Sequence, residues 1–201
     1  MPFERHVDAA VVAVDKPAGL LSVPGRGADK QDCALSRANA RHPGLRVVHR
    51  LDQATSGLLL FARHLAAQQA LSRAFEQRLA QKTYVALVWG DPGPEGLIDL
   101  PLVADWPQRP RQKVCHATGR PSQTAWQRLG HEGPWTRLML TPRTGRAHQL
   151  RVHLLALGHP IVGDALYDPH RPADRLMLHA QRLQVPHPDG GELALDSPCP
   201  F

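Results

Sequence analysis

Short apolar runs, each cut off by proline or glycine, constrain the folding of this 201-residue chain more than any other feature. Val11-Val12-Ala13-Val14 reads as a strand, ended by Asp15-Lys16-Pro17-Ala18-Gly19, where Pro and Gly interrupt regular pairing. Leu20-Leu21-Ser22-Val23 reads as another, before the Pro-Gly-rich loop 24–27. Further strands are predicted near Val47, over 58–62, and over 82–89, where β-branched and aromatic residues run up to Gly90-Asp91-Pro92-Gly93. Residues 124–129 and 135–141 read as two strands joined through His131-Glu132-Gly133-Pro134, and 183–195 as short strands around Pro188-Asp189-Gly190-Gly191. Helical spacing is confined to two stretches. Leu71, Phe75 and Leu79 recur every four residues within 64–81, and Leu150, Leu154 and Leu157 share a face of a helix beginning at Gly145 or Arg146 and stopped by Gly158 and Pro160. Residues 101–120 read as irregular, Pro-rich and basic. The pattern predicts the α+β class: one domain over 1–201, built around a mixed, largely antiparallel sheet flanked by helices.

Hydrophobic content of 42% and charged content of 21% match an ordinary soluble globular protein. No apolar run approaches the roughly 20 residues of a membrane span. The N-terminal stretch Met1-Pro2-Phe3-Glu4-Arg5-His6 lacks the apolar core of a signal peptide, so a cytoplasmic location is expected. Three well-separated cysteines without a C-x-x-C pair point to neither a disulfide framework nor a zinc site. His148 and His153 stand five apart, not the three or four that put two metal ligands on one helix face, so no metal is expected. A net charge of +6 and a pI near 9.8 fit a nucleic-acid binder. The distribution is more telling than the total. Arg109, Arg111, Lys113 and Arg120 lie in a stretch with no acid, and so do Arg143, Arg146 and Arg151.

The chemistry is best sought at His49-Arg50-Leu51-Asp52-Gln53-Ala54-Thr55-Ser56-Gly57, a loop between two apolar runs. Loops held by rigid strands are common sites of catalytic side chains. Here a single carboxylate, Asp52, has a guanidinium and an imidazole within three residues. Taken alone, an Asp before Thr-Ser-Gly is commonly a turn former. Taken alone, Tyr84 in Lys82-Thr83-Tyr84 is a strand residue with its hydroxyl at the core edge, and Thr144-Gly145-Arg146-Ala147-His148-Gln149-Leu150-Arg151-Val152-His153 is a solvated basic helix face.

Together, and in this order, the three segments resemble the RluA family of pseudouridine synthases, whose motifs run H-R-L-D, K-x-Y and T-G-R-x-H-Q-L-R-V-H. Residues 15–25 are similar to the family's N-terminal signature, and 99–107 with 112–116 resemble its short members. With so few residues before Val11, no additional N-terminal S4-type RNA-binding domain is expected. The resemblance spans about 11–201 and implies a cofactor-free isomerisation of uridine in RNA. It implies Asp52 as the carboxylate assisting glycosidic cleavage, with sugar attack and ribose proton removal both open. Arg151 is then the cation favouring the ionised carboxylate, and Tyr84 the stacking partner of uracil and candidate base for the C5 proton. Arg50 and His49 are candidate RNA-binding residues, Arg50 filling the gap left by a flipped base, and Arg109, Arg111, Lys113 and Arg146 are candidate phosphate contacts. The implied partners are RNAs, a tRNA anticodon stem-loop and a 23S rRNA hairpin, acted on by a monomer with no membrane association. Two rivals remain. A non-catalytic RNA-binding or ribosome-assembly protein predicts loss of Asp52, Tyr84 or Arg151. A glycosidase needs a second carboxylate beside Asp52, and none stands near it in the motif.

Overall fold

A computed structural model describes residues 3–201, so Met1 and Pro2 of the N-terminal stretch lie outside the described residues. The chain divides into two compact units. One takes in the residues up to Lys82 together with Ala180–Pro200, the other Thr83–His179 with Phe201.

The first unit opens with β1 (Glu4–Val7) and β2 (Val11–Lys16), antiparallel across a turn in which Asp8 Oδ1 accepts from the backbone N–H groups of Ala10 and Val11. Helix α1 (Ala34–Asn39) begins at a capping box in which Cys33 and Ser36 satisfy each other's backbone N–H groups. Then come β3 (Arg46–Val47), β4 (Ser56–Ala62) and α2 (Leu65–Glu76). β2 pairs antiparallel with β4, from Val11 opposite Ala62 to Lys16 opposite Gly57. Side chains alternate between the two faces of these strands. Val11, Ala13, Leu58, Leu60 and Ala62 share a core with Ala67, Leu71 and Ala74 of α2. Val12, Val14, Leu59 and Phe61 are equally buried, which is why β2 and β4 read as continuous apolar runs rather than alternating ones.

The second unit contains β5 (Gln81–Trp89), β6 (Glu95–Asp99), β7 (Leu102–Ala104), β8 (Gln112–Val114), β9 (Gln123–Glu132), β10 (Trp135–Pro142) and α3 (Gln149–Ala156). Its strands lie in the order β5-β10-β9-β6, with antiparallel pairing throughout. β7 and β8 form a separate antiparallel hairpin. The chain then returns through β11 (Leu178–Pro186) and β12 (Glu192–Asp196) to the first unit, whose order is β1-β2-β4-β11, with β3 on β4 and β12 on β11. The fold class is α+β, as the patterning predicts.

Several elements depart from that patterning. Residues 20–23 form no strand. Leu21 makes an isolated bridge to Cys33, and Ser22 is bonded to the backbone of Leu51. Helix α2 ends at Glu76 rather than near 81, because Arg78 turns into the left-handed region at φ 62 and leaves Leu79 52% exposed. Helix α3 starts at Gln149, after a left-handed His148 at φ 52, so residues 144–148 form a turn. β9 runs on through His131 and Glu132, leaving Gly133-Pro134 as the reversal. The irregular basic stretch holds the β7–β8 hairpin. β6 carries no strong signal because Gly96 sits at its second position. That glycine lies against the Trp126 ring, where a Cβ would collide.

Gly57 occupies the most restrictive glycine position of the first unit. Its φ is +113, and a Cβ there would fall on the backbone of Ala180 in β11. Gly57→Ala is expected to lower stability by roughly 3 kcal/mol, read as a fall in urea midpoint with little change in m-value. An unchanged midpoint would mean that β11 shifts freely.

Candidate active site

Asp52 stands half-buried on the loop between β3 and β4, in the first unit, and its carbonyl accepts from Thr55 N–H at 3.1 Å. The backbone around it is tied down on several sides. The buried ammonium of Lys16, at the end of β2, donates to the carbonyls of Gln53 at 3.0 Å, Leu20 at 2.7 Å and Pro17 at 3.0 Å. Gly19 N–H donates to Gln53 O at 2.9 Å, and the Gln53 amide returns a bond to Gly19 O at 3.0 Å. Ser22 Oγ donates to Leu51 O at 2.7 Å and accepts from Leu51 N–H at 3.0 Å. Both backbone groups of the residue before Asp52 are thus spoken for.

At the head of the loop, His49 stacks on Phe75 of α2 with ring centroids 4.7 Å apart. Its Nε2 accepts from the Leu60 N–H of β4 at 3.0 Å, which requires an unprotonated nitrogen there. Burial, with a smaller contribution from the Lys82 ammonium, pushes its pKa down to about 3. Burial likewise lowers the pKa of Lys82. His49 is therefore neutral and committed to the loop's packing, whereas the neighbouring Arg50 is exposed.

Tyr84 and Arg151 belong to the second unit. Tyr84 is half-buried on β5, opposite Leu140 of β10. Arg151 lies on α3, where its Nε and Nη2 donate to the two oxygens of Asp164 at 2.8 and 2.7 Å. The reading of 144–153 as a solvated face fails at most of its polar positions. Gln149 Oε1 accepts from Thr144 Oγ1 at 2.7 Å and from Arg146 N–H at 3.0 Å. Gln149 Nε2 donates to Gln123 O at 2.9 Å and Thr124 Oγ1 at 3.0 Å. His153 is fully buried between Leu100 O and Thr124 Oγ1, and burial lowers its pKa. Nε2 of this neutral ring must donate to the carbonyl, so Nδ1 accepts from the threonine hydroxyl. These side chains lock the 144–148 turn and α3 onto β9. His148 Nδ1 is 2.8 Å from the Tyr167 hydroxyl, which also accepts from Gln112 N–H at 2.8 Å.

Three of the four candidate phosphate contacts share one element. Arg109, Arg111 and Lys113 all sit on the β7–β8 hairpin. Arg109 lies 3.0 Å over the ring of Trp106, itself 67% exposed at the hairpin tip, and Arg111 lies 5.2 Å over Tyr167. Lys113 pairs with Asp105 at 3.1 Å and remains half-exposed. Arg146 sits in the turn before α3, with its Nε buried. Lys16, Asp164 and Tyr167 carry no such expectation in the sequence. Lys16 closes an apolar strand, and nothing in that pattern shows that its ammonium turns back onto loop carbonyls. Asp164 and Tyr167 follow the Gly-Pro stop after α3 with no periodicity to mark them.

Among the described residues no helix is long and apolar enough to cross a membrane. A family model described as RNA pseudouridylate synthase matches residues 10–156. The chain is 48% identical over 202 residues to the dual-specificity RNA pseudouridine synthase RluA of Escherichia coli K12, covering 98% of this chain and 92% of that protein. The protein of the same name from Vibrio vulnificus is 50% identical over 204 residues, covering 96% and 82%. Among solved structures, human RNA pseudouridylate synthase domain containing 1 superposes with a TM-score of 0.83 at 30% identity, covering 98% of this chain and 83% of that one.

The neutral His49 makes the loop's anchorage pH-dependent. Because its folded pKa lies below the ordinary 6.5, its contribution is present above pH 6.5 and is lost as pH falls toward about 3. His49→Gln, whose amide oxygen still accepts from Leu60 N–H, is expected to flatten the acid-side stability slope by up to about 1 kcal/mol per pH unit. Parallel slopes in urea titrations of wild type and variant between pH 6 and 4 would show that this ring does not titrate on unfolding.

Proposed function

From the premise that the chain belongs to the RNA pseudouridylate synthase family and is an RNA pseudouridine synthase, we propose that Asp52 is its catalytic carboxylate. The observation that carries this reading is the anchorage of its loop, in which Lys16, Gly19 and Ser22 hold the backbone on both sides of Asp52. A reacting carboxylate gains most from such a mounting, since misplacement by even 1 Å costs rate steeply.

The reaction breaks the bond between N1 of uracil and the ribose, turns the base, and joins C5 to the same sugar carbon. N1 gains a proton and C5 loses one. Asp52 assists the first cleavage in its ionised form, either by attack on the sugar or by removal of a ribose proton. Arg151 is the cation that favours that form. Tyr84 stacks on the uracil and is the candidate acceptor of the C5 proton. A phenol of ordinary pKa near 10 is a poor base at neutral pH, so stacking is the firmer of its two roles. Reaching the base requires flipping it from the stack, with exposed Arg50 filling the gap and His49 holding the loop from which Arg50 projects. Arg109, Arg111, Lys113 and Arg146 contact phosphates. The exposed hairpin bearing three of them, with Arg109 laid on Trp106, supports this role.

By resemblance to the dual-specificity relatives, the substrates are a uridine in a tRNA anticodon stem-loop and one in a 23S rRNA hairpin, recognised chiefly by loop shape. In this reading residues 1–201 form one catalytic domain, and the enzyme works as a monomer in the cytoplasm without a cofactor.

Asp52→Ala is expected to lower tritium release from C5-tritiated uridine, in either RNA, by more than about 1,000-fold, with RNA affinity within threefold of wild type. Normal release by this variant would sink the assignment of Asp52, and release from one RNA alone by wild type would refute dual specificity.

A further inference from the structure

One partner that the structure gives Arg151 is Asp164, and that pair is built with unusual completeness. Their side chains are 7% and 1% exposed. Asp164 Oδ2 accepts from Arg151 Nε. Oδ1 accepts from Arg151 Nη2 and also from the backbone N–H groups of Leu166 and Tyr167, each at 3.1 Å. The carboxylate is thus fixed by its own turn before it meets the guanidinium. That turn is anchored in turn to β5, the strand that carries Tyr84. Val162 N–H donates to Leu87 O at 2.9 Å, and Ile161 bridges Val88. Gly163 makes the approach practicable, since a Cβ at its φ of +75 would strike the Arg175 carbonyl. The Tyr167 ring lies 5.0 Å from Arg151 Cζ, and its hydroxyl is held by His148 and Gln112.

A buried ion pair of this kind is weak evidence for stability, because well-packed apolar residues of similar volume commonly serve as well or better. Geometry is what it supplies. An arginine side chain has many rotamers, and a two-point fork through Nε and Nη2 selects one plane for the guanidinium. It also turns the Nη1 end to the edge opposite Asp164.

We infer that Asp164 is a positioning residue for the pseudouridine synthase reaction: it sets the plane and direction of the Arg151 guanidinium, with Tyr167 holding that plane from the side. The inference rests on the reading that Arg151 takes part in turnover. It assigns Asp164 no contact with substrate.

The test is single-turnover and steady-state tritium release on an anticodon stem-loop transcript, with thermal stability measured in parallel. The variants are Asp164→Asn, Asp164→Glu, Arg151→Ala and Arg151→Ala with Asp164→Asn. Asp164→Asn is expected to lower kcat at least tenfold while KM and RNA affinity stay within threefold. Asp164→Glu, which keeps the charge but displaces the fork, is expected to fall between. In the Arg151→Ala background, Asp164→Asn is expected to lower kcat no further, because a residue acting through Arg151 has nothing left to position. Full additivity of the two losses would mark a general structural role and overturn the inference. So would wild-type kcat in Asp164→Asn alongside an impaired Arg151→Ala. Wild-type kcat in Arg151→Ala would instead remove the catalytic reading of Arg151, and the inference with it. If Asp164→Asn does not fold, Asp164→Glu decides: an unchanged kcat overturns the proposal, and a lowered kcat at unchanged KM supports it.

Discussion

One buried ammonium does more than any other group to make the Asp52 loop a defined object. Lys16 ends a strand that opens with four apolar residues, and its Nζ gathers carbonyls from its own turn and from Gln53 in the Asp52 loop. Taking a lysine out of water costs several kcal/mol, and bonds from a charged donor to three carbonyls offset that cost. The same three oxygens would be costly to bury without a donor. Cation and loops therefore depend on each other. The turn at 17–20 and the backbone of Gln53 are drawn to one donor, and Asp52 is held as the residue next to Gln53.

A second buried polar system does comparable work in the other unit. Thr144, Gln149 and His153 spend their donors and acceptors on β9 and Leu100, which stitches a turn, a short helix and a strand into one body. Such networks specify a single arrangement because any displacement leaves a polar atom unsatisfied in a dry interior. The left-handed backbone at His148 belongs to the same design, as it lets the chain enter α3 with the imidazole reaching Tyr167.

Much of this was legible in the residues. Apolar runs punctuated by Pro and Gly located β2, β4 and β5, whose apolar side chains are buried, and β9 and β10 stood out as a strand pair around a Gly-Pro reversal. Chemistry-bearing residues stood out by joint spacing in three segments rather than by any single position. What escaped was set by tertiary partners. Helix α2 stops where Arg78 bends back, although the spacing of Leu79 continues the pattern. Leu20-Leu21-Ser22-Val23 has strand composition, but Ser22 is claimed by Leu51. A polar run such as 144–153 cannot declare whether it faces water or a sheet until the sheet is there. Asp164 was invisible for the same reason, since a carboxylate that receives two backbone amides and a guanidinium looks in sequence like any turn-forming Asp.

That shared carboxylate has a dynamic corollary. Oδ1 of Asp164 serves the amides of Leu166 and Tyr167 and the Arg151 fork at once, so the turn and the seat of the guanidinium share one oxygen. Local opening of residues 164–167 is thereby coupled to the seating of the arginine. Solvent exchange at those two amide protons then reports the free energy of that opening, readable without touching the side chain itself.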